Sequence, residues 1–202
     1  RVKAAVLTQN RQIEYKDIEL PPLREDSVLV RVAASGICGS DIPRFYHNGV
    51  HFYPIVLGHE FSGEVVEVGA SVSRVKVGDR VAVGADVPCG QCSWCRNGAG
   101  NNCAINYAIG YQIPGSFAQY MKLPRLVLEE GPVTPFGPAL GFDEAALAEP
   151  LACAINGLEL VNMSLGKTVA ILGMGPIGCM LIDLARIMGA VKVICVQRSR
   201  KR

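Results

Sequence analysis

No uncharged apolar run in this sequence reaches membrane-spanning length; the longest, Thr168–Ile182, is interrupted by three glycines and Pro176. The opening RVKAAVLTQN lacks a charged segment followed by an apolar one, so no secretory leader is expected there. Charge is sparse: 19% of residues are charged and the net charge is +2, which selects no polyanionic partner. Aromatics are few, at 6%, and no basic run with interleaved aromatics marks a nucleic-acid surface; only the terminal RSRKR is strongly basic. These shortages leave neither a membrane nor a nucleic acid as an expected partner. The 50% of hydrophobic residues among 202 positions is ample for a packed core.

Cysteine, by contrast, is plentiful. Eight thiols would suit disulfides in a secreted protein, but without a leader a reducing cytoplasm with metal-held thiols fits better. Four fall in CGQCSWCRNGAGNNC, spacing Cys89, Cys92, Cys95 and Cys103 as C-x2-C-x2-C-x7-C. Thiolates two residues apart on a tight turn grip one tetrahedral ion, and zinc is the usual occupant of such a closed sulfur site. The intervening Gly, Asn, Gln and Ser residues show no apolar periodicity, so a metal would supply the missing order. A zinc-ribbon module for nucleic acid is an alternative, but Arg96 is the only basic residue between Cys89 and Cys103. Disulfide exchange at Cys89–Cys92 is weaker still, since four matched thiols favour metal. Cys153, Cys179 and Cys195 lie in apolar stretches and are expected as buried small hydrophobes.

To about residue 130 the chain reads as short strands. Val2–Leu7, Ser27–Ala33, Gly63–Val68 and Arg80–Val83 are rich in β-branched residues and are punctuated by glycine and proline, which suggests a compact barrel-like unit. After Phe142, Asp143 is expected to cap a helix through Glu144–Ala148, and Pro150 to open a second one, LACAINGLELV. Glu149 would then sit at the break between helices, turned inward or solvated. A strand at 168–172, a helix over roughly Ile177–Met188 and a strand at 191–196 complete one β-α-β unit. A doubly wound domain needs more strands to bury both faces, so the chain reads as part of a longer protein, divided into 1–155 and 156–202.

Two constellations carry chemistry. Gly173, Gly175 and Gly178 form G-x-G-x-x-G directly after a strand, and Pro176 and Ile177 open the helix, whose free amides suit a pyrophosphate. The acid expected some twenty residues on is replaced by Gln197, followed by Arg198, Ser199 and the basic residues 200–202. A neutral amide beside Arg and Ser welcomes a 2′-phosphate, favouring NADP(H) over NAD(H). The second set is dispersed: Cys38 in ASGICGSD, and His59 and Glu60 in LGHEFSG. Thiolate, imidazole and one carboxylate leave a fourth position for substrate or water, the mark of a catalytic zinc. Asp41 could accept the second imidazole N–H, and Ser40 could take a proton from an alcohol.

In order along the chain, CGSD, GHEFSGEVVEVG, VGDRVAV, the four-cysteine lobe, AEPLACAING and GMGPIG resemble the zinc-dependent medium-chain dehydrogenase/reductases. The resemblance covers essentially the whole chain. It implies a mixed architecture, a GroES-like β-barrel-type catalytic domain followed by the first β-α-β unit of a Rossmann domain. It further implies two zinc ions: one catalytic, facing Cys38, His59 and either Glu149 or Glu60, and one structural, at Cys89, Cys92, Cys95 and Cys103. The Glu149–Pro150 pair is similar to the sorbitol dehydrogenase side of the family, and CGSDIPR with YPIVLGHEFSG resembles galactitol-1-phosphate dehydrogenases. The implied activity is NAD(P)-linked oxidation of a secondary alcohol of a polyol, free or phosphorylated, by a cytoplasmic homodimer or homotetramer. A truncated, inactive zinc-binding relative is the alternative. Pro43 stands where many relatives place a proton-relaying histidine, so water beyond Ser40 becomes the exit. Arg44 or Lys122 could meet a substrate phosphate; a solvated side chain or a structural ion pair are the other roles open to Arg44.

Overall fold

The structure, a computed structural model, describes residues 1–199. They form two compact units, Arg1–Ala148 and the segment from Glu149 onward. The first opens with the hairpin β1 (Val2–Gln9) and β2 (Gln12–Ile18), followed by β3 (Val28–Gly36), the short helix α1 (Asp41–Tyr46), β4 (Ile55–Val56), β5 (Glu60–Val68) and β6 (Arg80–Val83). A lobe follows, with β7 (Asp86–Val87), α2 (Ser93–Arg96) and β8 (Tyr107–Ala108); then come β9 (Tyr120–Leu123), α3 (Arg125–Glu130), β10 (Val133–Pro135) and α4 (Phe142–Ala146).

A five-stranded sheet in the order β10-β6-β5-β3-β9 is antiparallel throughout. Its inner face is set by alternation: in β9, Met121 and Leu123 are buried while Tyr120 and Lys122 face outward. These join Val28, Val30, Phe61, Val65, Val81 and Val133 in one core. A smaller sheet, β2-β1-β4, has its own clusters, bridged by Phe117, which packs against both. The feature that positions the site is the β3–β5 register. Ala33 is extra in β3, because Val32 pairs with Gly63 and Ala34 with Ser62, and beyond the bulge Gly36 lies opposite Glu60. The turn carrying Cys38 is thereby delivered to the start of β5, beside His59.

The expected break at Glu149–Pro150 lies instead at Leu147. Gly141, not Asp143, is the N-cap of α4, and its N–H donates to the Glu144 carboxylate (2.7 Å). The next helix, α5 (Ala148–Leu160), already contains Glu149 and Pro150 in its first turn. Proline is accepted there because first-turn N–H groups have no partner within the helix.

The second unit continues from α5 into β11 (Thr168–Leu172), α6 (Pro176–Ile187) and β12 (Lys192–Val196), with the two strands parallel. Leu158, Met163 and Ala185 form its buried centre. Cys153, Cys179 and Cys195 are exposed, contrary to the sequence expectation. Two strands and their helices leave sides uncovered, and even Leu172, in β11, is 79% exposed. Among the described residues no helix is long and apolar enough to cross a membrane.

Candidate functional site

The β3–β5 pairing brings Cys38, His59 and Glu60 together: one donor atom from each lies within 4.8 Å of the others. His59 and Glu60 are buried and Cys38 is half-buried. The Cys38 turn is tied by Asp41, whose Oδ2 accepts the Cys38 N–H (2.9 Å), while the Asp41 N–H donates to the Cys38 carbonyl (3.0 Å). The Ser40 N–H points to the Cys38 sulfur (3.5 Å), and the Ser40 hydroxyl is 3.5 Å from His59 Nε2. Sulfur, nitrogen and oxygen donors already gathered in one place, with a hydroxyl alongside, fit a four-coordinate zinc that keeps one position open. Asp41 Oδ1 lies 3.9 Å from His59 Nδ1. Burial pushes His59 below the usual histidine range, against the opposing pull of Asp41 and with Arg44 adding to the shift, which favours the neutral form a metal requires.

Two glycines make room for this arrangement. A Cβ on Gly36 would overlap the Glu60 carboxylate. Gly58, directly before His59, has φ +93°, and a Cβ there would lie 2.6 Å from the Phe117 ring. Arg44 is buried beneath the site with all three guanidinium nitrogens bonded within the protein, which places it out of reach of a substrate phosphate and matches the structural reading of this residue. Lys122 lies on β9, with Nζ 3.3 Å from the Pro22 carbonyl. Sequence reasoning missed Tyr111, whose ring lies 3.7 Å from the Arg44 guanidinium, and no local pattern could have pointed to it. Glu149 belongs to the second unit, where the Cys153 thiol lies 3.8 Å from its carboxylate.

The four lobe cysteines also converge. Cys92 and Cys95 sulfurs are 3.5 Å apart, Cys92 and Cys103 3.9 Å, Cys89 and Cys95 4.0 Å, and all are free thiols. Zinc–sulfur bonds of about 2.3 Å in a tetrahedron place sulfurs about 3.8 Å apart, so the cage has the right size. Cys92 N-caps α2, and the single turn to Cys95 puts both sulfurs on one side. The Asn106 and Cys89 N–H groups, each 3.3 Å from the Cys103 sulfur, pull that thiol down to about 6. Burial and the adjoining Cys92 and Cys103 sulfurs push Cys95 up to about 12. A cage that favours one thiolate and resists the next is one that a dication relieves.

In the second unit, Gly173 takes φ +104°, and its N–H donates to the Val196 carbonyl (2.8 Å), closing the turn on β12. Gly175 caps α6 and Pro176 opens it, followed by Ile177. A Cβ on Gly178 would overlap the Gly173 carbonyl oxygen, so the third glycine is what lets the turn lie on its helix. Gln197 Oε1 accepts the Met174 N–H (3.2 Å), linking the residue after β12 to the turn; Arg198 and Ser199 are exposed. Arg200, Lys201 and Arg202 lie outside the described residues.

Comparison with known proteins agrees with this geometry. The alcohol dehydrogenase GroES-like domain family matches residues 24–131. Sorbitol dehydrogenase of Bacillus subtilis (strain 168) is 39% identical over 199 residues, which cover 96% of this chain and 55% of that protein. The crystal structure of galactitol-1-phosphate dehydrogenase from Escherichia coli superposes with a TM-score of 0.90 at 34% identity, covering 98% of this chain and 56% of that one. A zinc-binding dehydrogenase from Sinorhizobium meliloti 1021, bound to NADP, gives 0.90 at 36% identity, covering 99% and 57%. The chain thus spans little more than half the length of these relatives. With its GroES-like domain, its ordered motifs and these neighbours, the chain belongs to the medium-chain dehydrogenase/reductase family of alcohol dehydrogenase-like proteins.

Proposed function

We propose that this chain carries the metal-binding, proton-handling part and the first dinucleotide contacts of a zinc-dependent, NAD(P)-linked polyol dehydrogenase. The observation that carries the reading is the assembly of Cys38, His59 and Glu60 donors within 4.8 Å, with the Ser40 hydroxyl next to His59. The sorbitol and galactitol-1-phosphate dehydrogenase relatives support a sugar-alcohol substrate, free or phosphorylated.

Cys38 and His59 would hold a catalytic zinc together with Glu60 or, as the resemblance allows, Glu149. When bound, the ion supplies Lewis acidity that brings the pKa of a coordinated secondary hydroxyl toward neutrality. Ser40 Oγ is placed to take the hydroxyl proton. Arg44 Nη2 donates to that same oxygen (3.1 Å) and cannot accept a proton, so the proton leaves Ser40 on its solvent side, consistent with Pro43 in the relay position. His59, neutral and buried, does not compete for it. Gly173, Gly175, Pro176, Ile177 and Gly178 would seat a pyrophosphate at the start of α6, with Gln197, Arg198 and Ser199 near the adenine ribose; the absence of an acid there favours NADP(H). The lobe would hold a second, structural zinc. We expect the complete protein to be a cytoplasmic homodimer or homotetramer.

Metal analysis joined to a substrate panel tests the reading. The expected result is two zinc ions per chain, and NADP⁺-dependent oxidation of a polyol that disappears on Cys38→Ser. Two ions with neither NADP⁺ nor NAD⁺ bound would favour the competing reading, a zinc-binding relative without turnover. A single ion, lost with the lobe cysteines, would remove the catalytic site altogether.

A further inference from the structure

Arg44 is 3% exposed, and a guanidinium is buried so deeply only when its donors are met. Nε donates to the Ser40 carbonyl (3.1 Å) and Nη1 to the Gly110 carbonyl (2.6 Å). Nη2 donates to Asp41 Oδ1 (2.8 Å) and Ser40 Oγ (3.1 Å), and it lies 3.2 Å from His59 Nδ1, which is an acceptor only when that ring carries its proton on Nε2. Tyr111 lies against the guanidinium plane at 3.7 Å, and its ring centre is 5.9 Å from that of His59. One side chain therefore joins the turn after β3, the residue before β5 and a loop some seventy positions further on. A planar fork can meet acceptors in several directions at once; a lysine ammonium, a point charge on a flexible stem, cannot reproduce that.

We infer that Arg44 is a positioning residue that holds Ser40, Asp41 and His59 in register with Cys38 and thereby sets the affinity and geometry of the metal site, an inference that rests on reading Cys38 and His59 as ligands. Asp41 is the pivot. Its Oδ2 fixes the Cys38 backbone while Arg44 fixes its Oδ1, the oxygen nearest His59 Nδ1. An imidazole that presents Nε2 to an ion carries its proton on Nδ1, and that proton then has the clamped Asp41 oxygen to turn to. Without Arg44 the buried Asp41 carboxylate loses its cationic partner, and the turn loses its tie to Gly110 and Tyr111.

The test is Co²⁺ titration of the chain, against a competing chelator, in wild type, Arg44→Met and Arg44→Lys. The four-thiolate lobe serves as an internal reference, because its intense sulfur-to-cobalt bands differ from the weaker visible bands of a mixed sulfur, nitrogen and oxygen site. We expect both variants to fill the lobe as wild type does. In Arg44→Met the second equivalent should bind about 10–100-fold more weakly with shifted visible bands, as is usual when a partner of a metal ligand is removed, and Arg44→Lys should fall between. Equal affinity and unchanged bands for the second equivalent in Arg44→Met would overturn the inference. So would an Arg44→Met chain that fails to fold while Arg44→Lys is indistinguishable from wild type, since any buried cation would then suffice. A wild-type chain that takes only the lobe equivalent would sink the ligand reading itself, and this inference with it.

Discussion

Replacing Gly58 by alanine loads two separable terms onto the residue that precedes His59. The first is the backbone: φ is +93°, a region that costs an L-residue about 1 kcal/mol or somewhat more. The second is crowding. The new methyl group would lie 2.6 and 2.7 Å from two Phe117 ring carbons and 2.7 Å from Ser116 Oγ. Neither can easily retreat, because the Ser116 N–H bonds to the Gly58 carbonyl (3.0 Å), the Phe117 N–H to the Leu57 carbonyl (2.9 Å), and the Phe117 carbonyl to the Ala5 N–H (2.8 Å). Phe117 also packs on both small clusters around β1 and β4, so a shift of its ring is felt in each. Overpacking of this kind costs about 1–3 kcal/mol, for a total of about 2–4 kcal/mol. Gly78 isolates the first term: its φ is +90°, but a Cβ there meets nothing within 4 Å, so Gly78→Ala should cost only about 1 kcal/mol. Urea unfolding of the two variants measures both, and the melting point should fall by roughly 2–4 °C per kcal/mol. Gly58→Ala should also weaken the second metal equivalent, which Gly78→Ala should leave alone. If the two variants lose stability equally, to within about 0.5 kcal/mol, the clash at Phe117 is not felt and the reasoning fails.

Other consequences follow from the same geometry. Gly36→Ala should cost little stability, because the overlapped Glu60 oxygen ends a side chain that can swing; it should nevertheless weaken metal at the Cys38 site and spare the lobe, and unchanged Co²⁺ bands would show that Glu60 is no ligand. Cys103→Ser removes the sulfur that receives the Asn106 and Cys89 N–H groups, so one zinc equivalent should vanish and the 89–103 segment should become the first site of proteolysis; retention of both equivalents would refute the cage. Because burial holds His59 below its usual pKa of about 6.5, the unfolded chain binds a proton that the folded chain refuses. The metal-free chain should therefore hold this contribution fully above about pH 6.5 and lose it as pH falls through the folded pKa, and His59→Gln should flatten that limb of the urea midpoint curve; a variant with the wild-type slope would contradict this. Gln197→Asp places a negative charge where a 2′-phosphate is proposed, so NADP⁺ affinity should fall about tenfold or more relative to NAD⁺; an unchanged ratio would remove Gln197 from cofactor choice.

Features that depend on a few neighbouring residues were legible in the chain. The lobe cysteines declare their own cage through spacing, the glycine turn declares itself by its place between strand and helix, and Arg80–Val83 has the bounds its β-branched pattern predicts. Where legibility failed, the cause was a distant partner. Apolar flanks placed Cys153, Cys179 and Cys195 inside, yet burial requires another element to cover the face, and none among the described residues covers these. The proline rule put the helix break two residues late because it could not see that α5 starts at Ala148, leaving Pro150 in the one turn that tolerates it.

The proposed metal site shows the same division more sharply. Cys38 and His59 are twenty-one positions apart and nothing local joins them; what joins them is the pairing of Gly36 with Glu60 beyond the Ala33 bulge. Gly63 underlies that pairing, since a Cβ there would overlap the Arg31 carbonyl across the strands. The glycines at 36, 58 and 63 are thus parts of the site although none offers a ligand atom. Arg44 belongs with them, because the Gly110 carbonyl and Tyr111 ring that hold it arrive from the far side of the lobe. The gathering of Cys38 and His59 accordingly depends on residues whose part is geometric. Substitutions at these positions should therefore lower metal affinity at the site in addition to any loss of overall stability, whereas equal-sized changes in the shared core, such as Val65→Ala, should lower stability and leave the affinity of the folded site unmoved.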